Sequence, residues 1–250
     1  MSEPLRCFWA VSPPEPIRAS LAPAIDAIAA TLDASRLDAI RLDASRIDAS
    51  RIDTGGARER QVVDAGHPVP AGVGAQAAPL TEAVRYVPAE QLHITLKFID
   101  AIERGALPKL VAGVASRLSR QAPFDVTLAG VGAFPGARDA RVLWVGVADG
   151  TSQLARAARG IDAASARCGV ARERRPFRPH LTIARLRSAR AIALQQLPAP
   201  ESATFRVQEA VLYESRPSSQ GATHIPLSRL PFGQAPEDLD TFFADLPALD

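Results

Sequence analysis

Asparagine is absent from the 250 residues, lysine occurs only twice, and there is a single methionine. Twenty-seven of the 29 basic residues are therefore arginine, a skew that weakens any claim resting on one arginine alone. Two cysteines, Cys7 and Cys168, cannot build a disulfide framework and lack metal-type spacing, so they read as small buried hydrophobes. No apolar run approaches the roughly 20 residues of a membrane-crossing helix. The first six residues lead straight into a strand-like segment, without the charged and apolar regions of a secretory leader. The expectation is a cytoplasmic protein with no membrane contact. Aromatics make up only 5%, but a hydrophobic content of 47% suits a globular chain with one large core or two lobes.

The net charge of +2 conceals an uneven distribution. Residues 131–230 hold 15 Arg and no Lys against 7 acidic residues, whereas residues 234–250 hold five acidic residues and no basic one. The basic stretch is a footprint for a phosphate-bearing partner. Asp238 to Leu246 places Leu239, Phe242, Phe243 and Leu246 at amphipathic spacing in an acidic tail.

Arg6 to Val11 reads as a strand stopped by Pro13, Pro14 and Pro16, and Ile17 to Thr31 as a helix. Residues 32–53 repeat a five-residue unit of the type Leu32-Asp33-Ala34-Ser35-Arg36. On a helix its apolar positions would wind around the axis and offer no single face to a core. With the Gly-, Ala- and Pro-rich residues that follow, 32–80 reads as a flexible insertion, and His67 as a solvated loop histidine. Regular patterning resumes with a short strand at 83–87, a strand at 91–99, a helix at 104–121, strands at 124–129 and 141–147, and a helix at 152–168. A strand at 177–184, a short helix at 189–197 and a strand at 203–213 complete it. The order strand, helix, strand, helix, strand thus occurs twice. That favours a duplicated α+β unit over a parallel βαβ sheet, because no Gly-rich phosphate loop follows any strand.

Two of the four histidines lie in matching strings, Leu92-His93-Ile94-Thr95-Leu96 and Pro179-His180-Leu181-Thr182-Ile183, 87 positions apart. Alternation along a strand puts His93 with Thr95, and His180 with Thr182, on one face, and the apolar residues on the other. Two imidazoles suit metal-free attack on a phosphodiester, since one ring can take a proton while the other gives one. The threonine hydroxyls can donate to non-bridging phosphate oxygens.

Paired H-x-T strings resemble the signature of the two-histidine (2H) phosphoesterases. The surrounding text is similar to the RNA 2′,3′-cyclic phosphodiesterases, long called 2′-5′ RNA ligases. The resemblance runs through Arg6-Cys7-Phe8-Trp9-Ala10-Val11, Leu92 to Phe98, Gly132-Ala133-Phe134-Pro135, Arg141-Val142-Leu143-Trp144, Phe177 to Arg185, and Val211-Leu212-Tyr213-Glu214-Ser215. It implies a bilobal α+β fold over residues 5–232, with two pseudo-symmetric lobes of largely antiparallel sheet, outer helices and a central cleft. It implies hydrolysis of RNA ends bearing a 2′,3′-cyclic phosphate to 2′-phosphomonoesters, with neither metal nor cofactor. His93 would be the proton donor and His180 the acceptor by that likeness, although the two strings themselves are nearly equivalent. His224 stands where the family often has an aromatic residue and reads as a surface or edge-strand histidine.

Further candidates for substrate binding are Arg185, Lys97, Phe134 and Arg178. A guanidinium can grip phosphate oxygens at two points, but strict alternation would point Arg185 away from the face of His180. Lys97 has the parity of His93. Phe134 would stack on a base or pack in the core, and Arg178 belongs to a basic stretch with Arg172, Arg174 and Arg175 that would attract an RNA backbone. Trp9 and Trp144 are expected in the core. Competing readings on the same residues are a 2′-5′ ligase, a hydrolase of small cyclic nucleotides, and a non-catalytic RNA- or nucleotide-binding module. A zinc hydrolase lacks a third ligand at familiar spacing.

Overall fold

The computed structural model describes residues 4–49, 84–218 and 221–234. Nine strands form one sheet, and every pairing in it is antiparallel. They are β1 (Leu5–Val11), β2 (Val84–Tyr86), β3 (Ile94–Ile102), β4 (Phe124–Phe134), β5 (Ala140–Asp149), β6 (His180–Arg190), β7 (Ala203–Val207), β8 (Glu209–Ser218) and β9 (Gly221–Pro231). The order is β7-β4-β5-β6-β3-β1-β8-β9, with β2 alongside β6. Among the described residues three helices accompany it: α1 (Glu15–Ala49), α2 (Leu107–Leu118) and α3 (Thr151–Ala166).

The sheet is two four-stranded halves joined at a seam. β3 and β6, the strands that carry the H-x-T strings, pair only through Ile94 opposite Leu181. Beyond that bridge the strands part, and β2 takes the place of β3 beside Ala184, Arg185 and Leu186. The halves correspond strand by strand: β1 flanks β3 as β5 flanks β6, with β8 and β9 answering β4 and β7. Ile94 and Leu181 are both fully buried, as the alternation of the two strings demands.

The helices cover the face opposite the His/Thr residues. α2 buries Leu107, Leu110, Val111, Val114 and Leu118, a stripe at helical spacing, and packs on α3, which buries Leu154, Ala157, Ala158 and Ile161. Gly150 ends β5 in the left-handed region (φ 85°), where a Cβ would stand 2.5 Å from the Asp125 carbonyl oxygen. Only glycine fits that turn into α3.

Beyond shifts of a few residues at strand ends, the elements differ from the sequence reading in these places. α1 does not stop at Thr31 but runs to Ala49, through most of the pentapeptide repeat; residues 24–54 contain neither Gly nor Pro to break it. The expected helix at 189–197 is replaced by the end of β6 and a single 3-10 turn at Leu194–Gln196, because β6 continues to pair with β5 as far as Arg190 opposite Ala140. The single strand expected at 203–213 is two, β7 and β8, and β9 was not anticipated. The remainder of the 32–80 insertion, His67 and the acidic tail from 235 onward lie outside the described residues.

Leu181→Ala removes a fully buried side chain at the seam, and the expected loss in chemical denaturation is about 2–5 kcal/mol.

Candidate active site

Antiparallel register fixes the arrangement at the seam. With Ile94 opposite Leu181, His93 falls beside Thr182 and Thr95 beside His180, all four on one face. The two imidazoles are held in the same way. His93 Nδ1 donates to the Gln91 carbonyl at 2.7 Å, and His180 Nδ1 donates to the Arg178 carbonyl at 2.7 Å. A carbonyl only accepts, so the proton of each neutral ring is on Nδ1 and Nε2 is the basic atom. Gln91 closes a 3-10 turn (Ala89–Gln91), while Pro179 holds the preceding Arg178 extended; different local sequences supply the same carbonyl two residues upstream.

A bulge follows each motif at the same offset. In β3, Thr95 lies opposite Ala10 and Lys97 opposite Trp9, so Leu96 is the extra residue. In β6, Thr182 lies opposite Trp144 and Ala184 opposite Leu143, so Ile183 is the extra residue. An extra residue reverses the facing of everything after it. This corrects the expectation for Lys97 and supplies the turn that Arg185 needed to reach the face of His180. Lys97 does not share the face of His93: it is buried (7% exposed) behind the sheet, donates to the Ala171 carbonyl at 2.7 Å and pairs with Asp162 of α3 at 2.9 Å. Arg185, by contrast, has come round to the face of His180, and its charge acts on all three imidazoles there.

Asp162 also accepts from Arg172 Nε at 2.8 Å and from the Glu173 backbone N–H at 3.0 Å. Burial alone would raise its pKa, but Lys97 and these donors hold it below the usual carboxylate range. Lys97 and Asp162 thus pin the segment that leads to His180. The side chain of Arg178 is exposed, and its backbone carbonyl is what touches the motif.

Aromatic rings surround the two histidines asymmetrically. Phe8 of β1 stacks on His93 at 4.8 Å and on Tyr213 at 5.3 Å, and Phe98, 59% exposed, stands 5.8 Å from Phe8. On the other side, Phe134 meets His180 edge-on at 4.8 Å and lies 5.2 Å from Trp144, which is itself 6.3 Å from His180. Trp9 is in the core as expected, with no exposure. Trp144 is not: it is half-buried beside Thr182, and its indole lies over Gly132, where a Cβ would come within 2.2 Å of the ring. The sequence reading also undervalued His224. It does lie on the edge strand β9, as expected, but its ring is 5.3 Å from His93 and 4.8 Å from Phe8.

Burial pushes His93 down to about 4, opposed by its bond to Gln91 and reinforced by the charges of His224, Arg185 and His180. His180 is lowered by burial and by Arg185, against its bond to Arg178. Among the described residues, no group of three or more His, Cys, Asp or Glu is gathered that would hold a metal ion. Nor, among them, is any helix long and apolar enough to cross a membrane.

The model of the 2′-5′ RNA ligase superfamily matches residues 71–218, more than half of the chain. The chain belongs to that superfamily. Relatives named RNA 2′,3′-cyclic phosphodiesterase include one from Geobacillus stearothermophilus, 35% identical over 62% of this chain and 51% of its own length. Another, from Methanothermobacter thermautotrophicus, is 32% identical over 55% of this chain and 77% of its own. The chain therefore spans about half the length of the first of these superfamily relatives and three quarters of the second. Escherichia coli LigT, crystallised with 3′-AMP, superposes with a TM-score of 0.60 at 25% identity, covering 93% of this chain and all of that one. The α+β architecture expected from the sequence is thus the superfamily's own.

Two outcomes test the site's physics. His93 is held low, so above its unfolded value near 6.5 both states are neutral and its contribution to stability is complete. As pH falls from about 6.5 toward 4, the unfolded state takes the proton first and stability drops, by roughly 2–3 kcal/mol. Chemical denaturation across that range should show a smaller drop for His93→Gln. Lys97→Ala leaves the half-buried Asp162 with only Arg172 and the Glu173 N–H, and the expected cost in thermal or chemical denaturation is about 1–3 kcal/mol.

Proposed function

We propose that this chain hydrolyses RNA ends bearing a 2′,3′-cyclic phosphate to 2′-phosphomonoesters, by general acid–base catalysis between His93 and His180 and with no metal ion. The observation that carries this reading is the duplicated Nδ1-to-carbonyl bond, which makes Nε2 the working atom of both rings at one seam. The names of its superfamily relatives support the same substrate class.

In this reading the phosphorus sits between the rings. His180 Nε2 takes the proton of the attacking water, the new P–O bond forms, and the bond to the 3′-oxygen breaks. His93 Nε2 hands its proton to that oxygen, which leaves as the 3′-hydroxyl. The assignment of donor to His93 follows the family likeness. A phosphodiester anion beside the rings favours the imidazolium form, and so works against the burial that keeps His93 neutral. Thr95 and Thr182 donate to the non-bridging oxygens, and Arg185 neutralises their charge. Phe134 and Trp144 offer ring faces to a base on the His180 side. Residues 5–232 would carry the whole activity, in the cytoplasm.

The test is an oligonucleotide ending in a 2′,3′-cyclic phosphate, offered with excess chelator. The expected product is the 2′-phosphate, and each of His93→Gln and His180→Gln should lower kcat about 10²- to 10⁴-fold. The double variant should be little worse than either single one, because the two rings act as a unit. Activity abolished by chelator, or binding without turnover, overturns the reading.

A further inference from the structure

His224 is a third histidine beside His93, one for which two-histidine chemistry has no task. It projects from β9, where it lies opposite Ser215 of β8, and is half-buried. Its ring meets that of His93 at 5.3 Å with the planes 81° apart, and that of Phe8 at 4.8 Å and 75°. Phe8 in turn stacks on His93 at 4.8 Å. The three rings close on one another, with His93 lying flat on Phe8 and His224 standing edge-on to both.

The surroundings decide what such a pair does with protons. The chargeable groups facing His224 are His93 on β3, Arg185 on β6 and Tyr213 on β8, 6.3 Å away; β1 contributes only the uncharged Phe8. No carboxylate is among the described groups that act on His93, His180 or His224. Two imidazolium ions side by side, partly withdrawn from water and close to a guanidinium, repel with nothing to offset it. Rings so coupled release their protons as a pair.

We propose that His224 is a positioning residue for His93, packed against it so that the two rings never carry a positive charge at the same time. The inference rests on the reading of His93 as proton donor. The proton delivered to the leaving 3′-oxygen is then the one on His93 Nε2, which His93 takes up only while His224 is neutral. The pair loses one proton, the oxygen gains it, and His180 gains the one from water. Burial lowers His224 as it does His93, and the charge of His224 lowers His93 further, in keeping with this order.

The test is an NMR titration of the histidine ring signals in the full chain, for the wild type, His224→Phe and His224→Gln. The phenylalanine keeps an aromatic ring against Phe8, and the glutamine keeps polarity. In both, the His93 midpoint should rise by at least about half a pH unit, since the repelling charge is gone. His180 is not acted on by His224, and its midpoint should stay in place. A His93 midpoint that does not rise overturns the proposal. So does an equal movement of His93 and His180, which is what a merely structural role would give. Should His224→Phe fail to fold, the His93 midpoint in His224→Gln decides between these outcomes. A wild-type protein that does not hydrolyse the cyclic phosphate removes the hydrolase reading and leaves the titration result intact.

Discussion

One backbone bridge, Ile94 against Leu181, sets the geometry on which everything else depends. A nine-stranded antiparallel sheet normally joins neighbours along their length. Here the two central strands touch at one point and part, so their side chains stay close at the seam while the halves diverge around it. Antiparallel register then does the rest. It places each histidine beside the other motif's threonine, and it does so twice because the same string was used twice. The buried Ile and Leu make the bridge stable, and the alternation that buries them is what turns His and Thr to the open face.

The site is two-fold in backbone and unequal in side chains. Phe8 lies under His93, while on the other half the large ring is Trp144, one pair along at the position answering Ala10. His224 has been added on one side only. Phe98 and Arg185, which stand at equal offsets after the two bulges, divide the remaining work into an apolar wall and a cation. Both rings have the same tautomer from the same kind of bond, so the difference between a donor and an acceptor has to come from these neighbours.

Most of the frame was legible from the residues. Hydrophobic alternation marked the two motif strands, and helical spacing marked α2 and α3. What escaped were features set by a single extra residue or by distant pairing. Strand parity failed for Lys97 and Arg185 because a bulge carries no local signal of its own; both strings simply continue apolar through Leu96 and Ile183. Trp144 looked like core because nothing in its own segment reveals Gly132 across the strand pair, which opens the space the indole fills. His224 lies more than 130 positions from His93, on a strand whose Gly-Ala-Thr-His-Ile-Pro sequence has little β-character, and only the β8–β9 pairing brings it in. The length of α1 was missed for a different reason: its repeat offers no constant apolar face to read, although it also holds no Gly or Pro to stop a helix.

The Lys97–Asp162 pair has a mechanical meaning for the seam. Lys97 belongs to the half that carries His93, whereas Asp162 and the Ala171 carbonyl belong to the half that carries His180. A sheet joined by one bridge is a natural hinge, and swinging it would draw the two imidazoles apart. Behind that hinge, however, an ammonium group is fastened to both a helix and a loop of the opposite half, in a place water scarcely reaches. The pair works as a tie-rod beside the packing of α2 on α3: swinging the halves open would stretch it, so the two rings are restrained from the rear of the sheet rather than from their own face.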